Sequence, residues 1–216
     1  MSALASLVFP EPDLLSHGDH MSRKEFIDRW SQMPELKRAE LIDGVVYLQP
    51  LVSFSHGTKD ALIALALGYY SAHLARCRSF SRATWLMTRT SAPQPDQCLC
   101  RVGPGSRFRL TGDLPTGVPE LAAETCRSSR SYDLGAKLRL YEQAGVPEYL
   151  AVVLEGERIE WRVLENGHYR LMKPHRDGTY RSKIFPGLWL HAKAFWKGDK
   201  PNLMAAIDRG VASLEP

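Results

Sequence analysis

Pro119-Glu120-Leu121-Ala122-Ala123-Glu124-Thr125-Cys126, followed by the segments 133–144 and 148–154, decides how this chain is read. The first and last of these segments are short apolar runs of strand length. The middle one repeats Leu134, Leu138 and Tyr141 at helical spacing. Gly145 and then Pro147 supply its stop. Strand, helix, strand in that order is a crossover unit, which joins two parallel neighbours of one sheet. The first strand also carries an anomaly, because period-two alternation places Glu124 on one face with Ala122 and Cys126. A carboxylate in a buried strand is costly unless a cation or a set of donors compensates it. A nearby arginine, Arg127 or Arg130, would make it a structural ion pair, whereas a metal would make it a site.

A second acid, Asp96, follows Pro95 at the entrance of another strand-like run. Such an Asp can be a turn residue binding its own backbone. Paired with Glu124 at the ends of neighbouring strands, it suggests a divalent ion. Hard oxygen ligands suit Mg2+, with Mn2+ an alternative, and waters complete the octahedron. Lys137 falls in the first turn of its helix, where the dipole disfavours a cation. From there it can reach the carboxylates, orient a water and stabilise charge on a scissile phosphate. It reads equally as a solvated lysine. Asp133 is most simply a helix cap. Glu40 adds a carboxylate just before the first hairpin. His56, at the start of the long helix, and Gln94, beside Pro95-Asp96, are candidate contacts for substrate or water.

Outward from this core, Ser22 with Glu25 marks a capped helix that stops near Pro34. Asp43-Gly44 turns a hairpin within 40–48. A helix spans about 56–74, strands are read at 84–89 and 97–102, and 103–117 is a surface loop with a short strand near 108–110. After the crossover unit the pattern becomes a meander through Asn166-Gly167 and an extended piece over 180–190. Short helices at 192–196 and 201–214 finish the chain. The organisation expected is a lead-in at 1–21, one domain at 22–200 and a C-terminal helix at 201–216.

The 216 residues, 44% hydrophobic and 24% charged, suit one soluble globular domain. A net charge of +4 and a pI near 8.9 fit a polyanionic partner without the density of a basic nucleic-acid arm. No apolar run approaches the roughly 20 residues of a membrane span. Met1 to Phe9 lacks the cationic opening of a secretory signal. Cys77, Cys98, Cys100 and Cys126 show no zinc spacing and read as buried thiols of a reducing cytoplasm.

The ordered stretches 39–46, Pro93-Gln94-Pro95-Asp96, 119–124, 128–134, Lys137-Leu138, 144–149 and 185–190 resemble the Uma-two family of restriction-endonuclease-like proteins, within the PD-(D/E)XK nuclease superfamily. The resemblance covers about residues 22–200. It implies an α/β fold with a restriction-endonuclease-like core: a mixed central sheet flanked by helices, here followed by a C-terminal β-meander. It makes Asp96 the first acid, Glu124 the second and Glu40 an accessory acid. The superfamily's lysine belongs two residues after the second acid, where this chain has Cys126, and the family brings it from the following helix, as Lys137. The function so implied is metal-dependent hydrolysis of DNA phosphodiester bonds. The alternative is a nuclease-fold module that binds nucleic acid or protein without turnover. A homodimer built on Tyr180, Trp189 and Trp196 is a further expectation, with ordinary core as the competing reading of those rings.

Overall fold

The computed structural model describes residues 14–36, 38–49, 51–126 and 132–214. Ser22 caps Arg23–Ser31 (α1) by accepting from the Glu25 amide at 3.2 Å. Ala39–Ile42 (β1) and Val45–Leu48 (β2) form a hairpin whose turn residues, Asp43 and Gly44, have φ of 49° and 82°. Phe54–Ala72 (α2), Cys77–Ser81 (β3) and Gln97–Arg101 (β4) follow, then a small hairpin of Arg109–Thr111 (β5) and Leu114–Thr116 (β6). Leu121–Cys126 (β7) leads to a π-helical turn, Tyr132–Lys137, that runs directly into Leu138–Ala144 (α3). Glu148–Val153 (β8), Arg158–Glu165 (β9), His168–Leu171 (β10), Thr179–Arg181 (β11), Trp189–His191 (β12), Ala192–Lys197 (α4) and Lys200–Ala212 (α5) complete the path.

Six strands form the central sheet in the order β10-β9-β8-β7-β4-β3. Only β7 and β8 run parallel, as the crossover requires; every other pairing is antiparallel. The sheet is therefore mixed, with β8, β9 and β10 as the meander. Alternation along β7 divides its side chains between two cores. Leu121 and Ala123 pack with Leu62, Ile63, Ala66 and Leu67 of α2, while Ala122 and Cys126 pack with Leu140 and Tyr141 of α3. Full burial of a side chain such as Leu67 or Leu150 contributes about 1.5–3 kcal/mol.

Two expectations are corrected. The stretch 84–89 is not a strand: it makes a single bridge, Leu86 to Thr116, and the edge strand is Cys77–Ser81 instead. That strand is rich in Arg and Ser because it lies at the sheet edge, so its pattern carries little apolar signal. Nor do the three rings offered for a dimer form an open aromatic face. Tyr180 is buried and stacks on Trp161, Trp189 lies under the Arg181 guanidinium at 3.7 Å, and Lys59 sits 5.3 Å over Trp196. Among the described residues no helix is long and apolar enough to cross a membrane, and all four cysteines are free and buried.

The last helix closes over the core through a backbone contact. Leu203, Ala206 and Ile207 of α5 are fully buried, and Gly210 abuts Gly187, where a Cβ on Gly210 would stand 2.2 Å from the Gly187 carbonyl oxygen. Alanine is the better helix former by about 1 kcal/mol, so propensity alone favours Gly210→Ala. The clash reverses that sign. Gly210→Ala should lower unfolding free energy by about 1–3 kcal/mol, read as a reduced urea midpoint; an unchanged or raised midpoint would show that α5 is free to lift.

Candidate active site

Asp96 and Glu124 meet because of strand register. The antiparallel ladder of β4 with β7 pairs Gln97 with Ala123, and one step further along it brings the two acids side by side. Each carboxylate then accepts from a backbone amide of the other's segment. The Asp96 amide donates to Glu124 Oε2 at 3.4 Å, and the Thr125 amide donates to Asp96 Oδ2 at 2.9 Å. Burial alone would raise the Asp96 pKa, but His56, the Lys137 ammonium and the Thr125 amide outweigh it and hold the carboxyl below its ordinary value. The group is therefore an anion at neutral pH.

Lys137, the last residue of the π turn, is not a solvated lysine. It is 2% exposed, with Nζ 2.8 Å from Glu124 Oε1 and 2.9 Å from Glu40 Oε1. One helical turn along, the Tyr141 hydroxyl donates to the same Glu124 oxygen at 2.8 Å. Burial and the charges of Glu124 and Glu40 push the tyrosine pKa well up, which keeps it a donor.

Glu40 reaches this cluster from β1 by way of the excursion between β3 and β4. Leu41 and Ala92 exchange backbone hydrogen bonds of 3.2 and 2.7 Å, which dock the first hairpin on that excursion. The Gln94 amide then donates to Glu40 Oε1 at 2.6 Å, and the Gln49 side-chain amide donates to Oε2. His56 lies in the first turn of α2, capped by Ser53. Its buried Nε2 stands 3.5 Å from Asp96 Oδ2 without the alignment of a hydrogen bond.

Five of the six residues singled out in the sequence thus contribute side chains to one cluster: Asp96, Glu124, Lys137, Glu40 and His56. Gln94 differs. Its side chain donates to Thr84 Oγ1 at 2.9 Å, and its backbone amide serves Glu40. Arg127, Arg130 and the side chain of Asp133 lie outside the described residues. Tyr141 and Gln49 were not foreseen as members. Tyr141 had a signal, since a residue four places after Lys137 shares its helix face; Gln49 had none.

The donor set bears on a metal. Among the described residues no group of three or more His, Cys, Asp or Glu side chains gathers into an all-protein cage. What is present is two adjacent carboxylates with a third, Glu40, on the same ammonium as Glu124. With Asp96, Glu124, Glu40 and Lys137 ionised, the cluster carries two more negative charges than positive. Such an imbalance at low dielectric favours a divalent cation that keeps its own waters, which is how magnesium binds to one or two carboxylates.

A mixed sheet that brings an Asp and a Glu together on neighbouring strands, beside a buried lysine, is the architecture of a restriction-endonuclease-like protein. Residues 23–193 match the Uma2 family, described as "Putative restriction endonuclease", and the chain belongs to that family. A crystal structure described as that of "a putative nuclease belonging to DUF820" from Anabaena variabilis ATCC 29413 superposes with a TM-score of 0.63 at 12% identity. The match covers 79% of this chain and 97% of that one, and at this identity the likeness is one of fold. No curated protein matches the chain.

Removing the ammonium would leave two carboxylates buried against each other. Lys137→Met should therefore cost about 3–5 kcal/mol of stability, and adding Glu124→Gln should return part of that loss. Urea unfolding of the two variants beside wild type measures both; equal stability of Lys137→Met and wild type would mean the ion pairs contribute nothing.

Proposed function

We propose that the protein is a metal-dependent endonuclease that hydrolyses DNA phosphodiester bonds. The observation that carries this reading is the Asp96–Glu124 pair, interlocked through backbone amides and served by the buried Lys137 amine. Family membership and the excess positive charge of the whole chain, +4, support the same direction. Asp96 and Glu124 would hold Mg2+ or Mn2+, which when bound supplies charge neutralisation at the phosphate and a water of lowered pKa.

The chain's own groups then have distinct tasks. The Thr125 amide and Tyr141 hydroxyl fix the two carboxylates, so that they present their oxygens without reorganisation. Lys137 keeps Glu124 paired and places a positive charge beside the reacting phosphate. Glu40 shares the amine with Glu124 and helps hold it in place. His56 is within reach of Asp96 and is placed to accept or return a proton as the water oxygen bonds to phosphorus and the sugar oxygen departs. Two copies related by a twofold axis would set one such centre against each strand.

Calorimetric titration with Mg2+ or Mn2+ should show one binding event in wild type that Asp96→Ala and Glu124→Ala abolish. Metal-dependent nicking of supercoiled DNA should fall in both variants by about a hundredfold or more, with circular dichroism unchanged. Cleavage by Asp96→Ala at the wild-type rate would defeat this assignment. Metal-independent, salt-sensitive DNA binding with no product would favour a binding module instead.

A further inference from the structure

Asp60 is a buried carboxylate that the hydrolysis outlined above does not use. It belongs to the face of α2 that packs on the sheet and is 4% exposed. Burial raises its pKa, and the nearby charge of Asp96 adds to the rise. All of its side-chain donors come from the corner between β3 and β4. Gln97 Nε2 donates to Oδ1 at 2.9 Å, while Gln97 Oε1 accepts the Ser81 hydroxyl at 2.6 Å. Arg82 Nη2 closes on Oδ2.

Arg82 is the charged part of this network that reaches solvent. Its side chain is 40% exposed, and its Nε lies 3.9 Å from Asp96 Oδ1. Its backbone amide donates to the carbonyls of Pro95 at 3.1 Å and Asp96 at 3.2 Å. The residue has φ of 53°, a left-handed conformation uncommon for arginine. Held strain of this kind gathers at functional positions. Asp60 faces Nη2 and Asp96 faces Nε, and among the described residues Nη1 has no partner.

We propose that Arg82 docks a backbone phosphate of the nucleic-acid substrate beside the Asp96–Glu124 pair, and that Asp60 is the anchor that aims it. The inference rests on the hydrolytic reading above. A guanidinium offers donors along more than one edge, so it can keep a carboxylate on one and accept a phosphate on another. Its charge opposes a metal cation beside Asp96 and favours an incoming phosphate. A simple tie between α2 and the sheet needs neither the left-handed backbone nor the proximity to Asp96, and apolar packing serves such a tie at least as well.

The opposed electrostatics give a test with a sign. Wild type, Arg82→Ala, Arg82→Lys and Asp60→Asn are compared by anisotropy on a short DNA duplex across a salt series with Ca2+ in place of Mg2+, by Mg2+ calorimetry, and by cleavage kinetics. Arg82→Ala should bind DNA about tenfold more weakly, with the log–log salt slope shallower by about one. KM should rise more than kcat falls, and Mg2+ affinity should stay equal or tighten. Arg82→Lys should recover part of the binding, and Asp60→Asn should fall between. A wild type that cleaves while Arg82→Ala keeps its KM and salt slope overturns this inference alone. So does parallel loss of metal affinity, DNA affinity and melting temperature, which marks Arg82 as a structural tie. A wild type that neither binds nor cleaves DNA overturns the inference together with the hydrolytic reading.

Discussion

The buried ammonium of Lys137 joins three pieces of chain at one point. Glu124 comes from the middle of the sheet, Glu40 from the N-terminal hairpin, and the lysine from the turn after β7. Each carboxylate alone would carry a desolvation penalty of several kcal/mol, and so would the amine. Together they are tolerable only when all three are correctly placed. The hairpin is thereby obliged to dock, and the backbone bonds between Leu41 and Ala92 record the result. That charged centre, beside the second core, holds the Glu124 carboxylate through the Lys137 amine and the Tyr141 hydroxyl.

Sheet topology supplies the rest of that geometry. A parallel pair, β7 and β8, needs the crossover that carries Lys137 and Tyr141 over the sheet end, while the antiparallel pairing of β4 sets Asp96 against Glu124. The small side chains of Ala122 and Ala123, both fully buried, let Tyr141 and Trp85 pack on one face and α2 on the other. The same face of α2 delivers His56 and Asp60 toward the site. One helix, one hairpin and one crossover thus converge on a single end of β7.

Much of this was readable in the residues. The apolar run at 121–126, the Leu134–Leu138–Tyr141 stripe, Gly145 and the run at 148–154 specify the crossover through burial and turn chemistry alone, and the observed strands agree within a residue. Asp43-Gly44 and Asn166-Gly167 adopt the positive φ their composition demands. Register is what composition does not carry. That Asp96 opposes Glu124 follows from the ladder of β4 on β7, a non-local pairing. The edge strand 77–81 was missed because edge strands need not be apolar. Arg82 and Asp60 lacked any local signal, since a pair 22 residues apart is visible only once α2 has been laid on the sheet.

The amine beside Glu124 comes from the helix after β7, not from position 126. A lysine at position 126 would share the strand face of Glu124, with its stem running beside the carboxylate. Here that face ends in a small thiol, which is buried and packs with Tyr149 and Val153 in the core beneath α3. The amine arrives instead from across the gap, through a π turn, and meets the same carboxylate oxygen. Electrostatics constrains where a charge stands, and many backbone positions can put it there. The wider hydrogen bonding of a π turn is a frequent mark of functional positions; here Lys137 ends that turn, and Tyr141, four residues on in α3, shares its helix face and the same Glu124 oxygen. The position of the amine is therefore tied to the helix following β7, and Tyr141 on the same helix ties the Glu124 carboxylate to it as well.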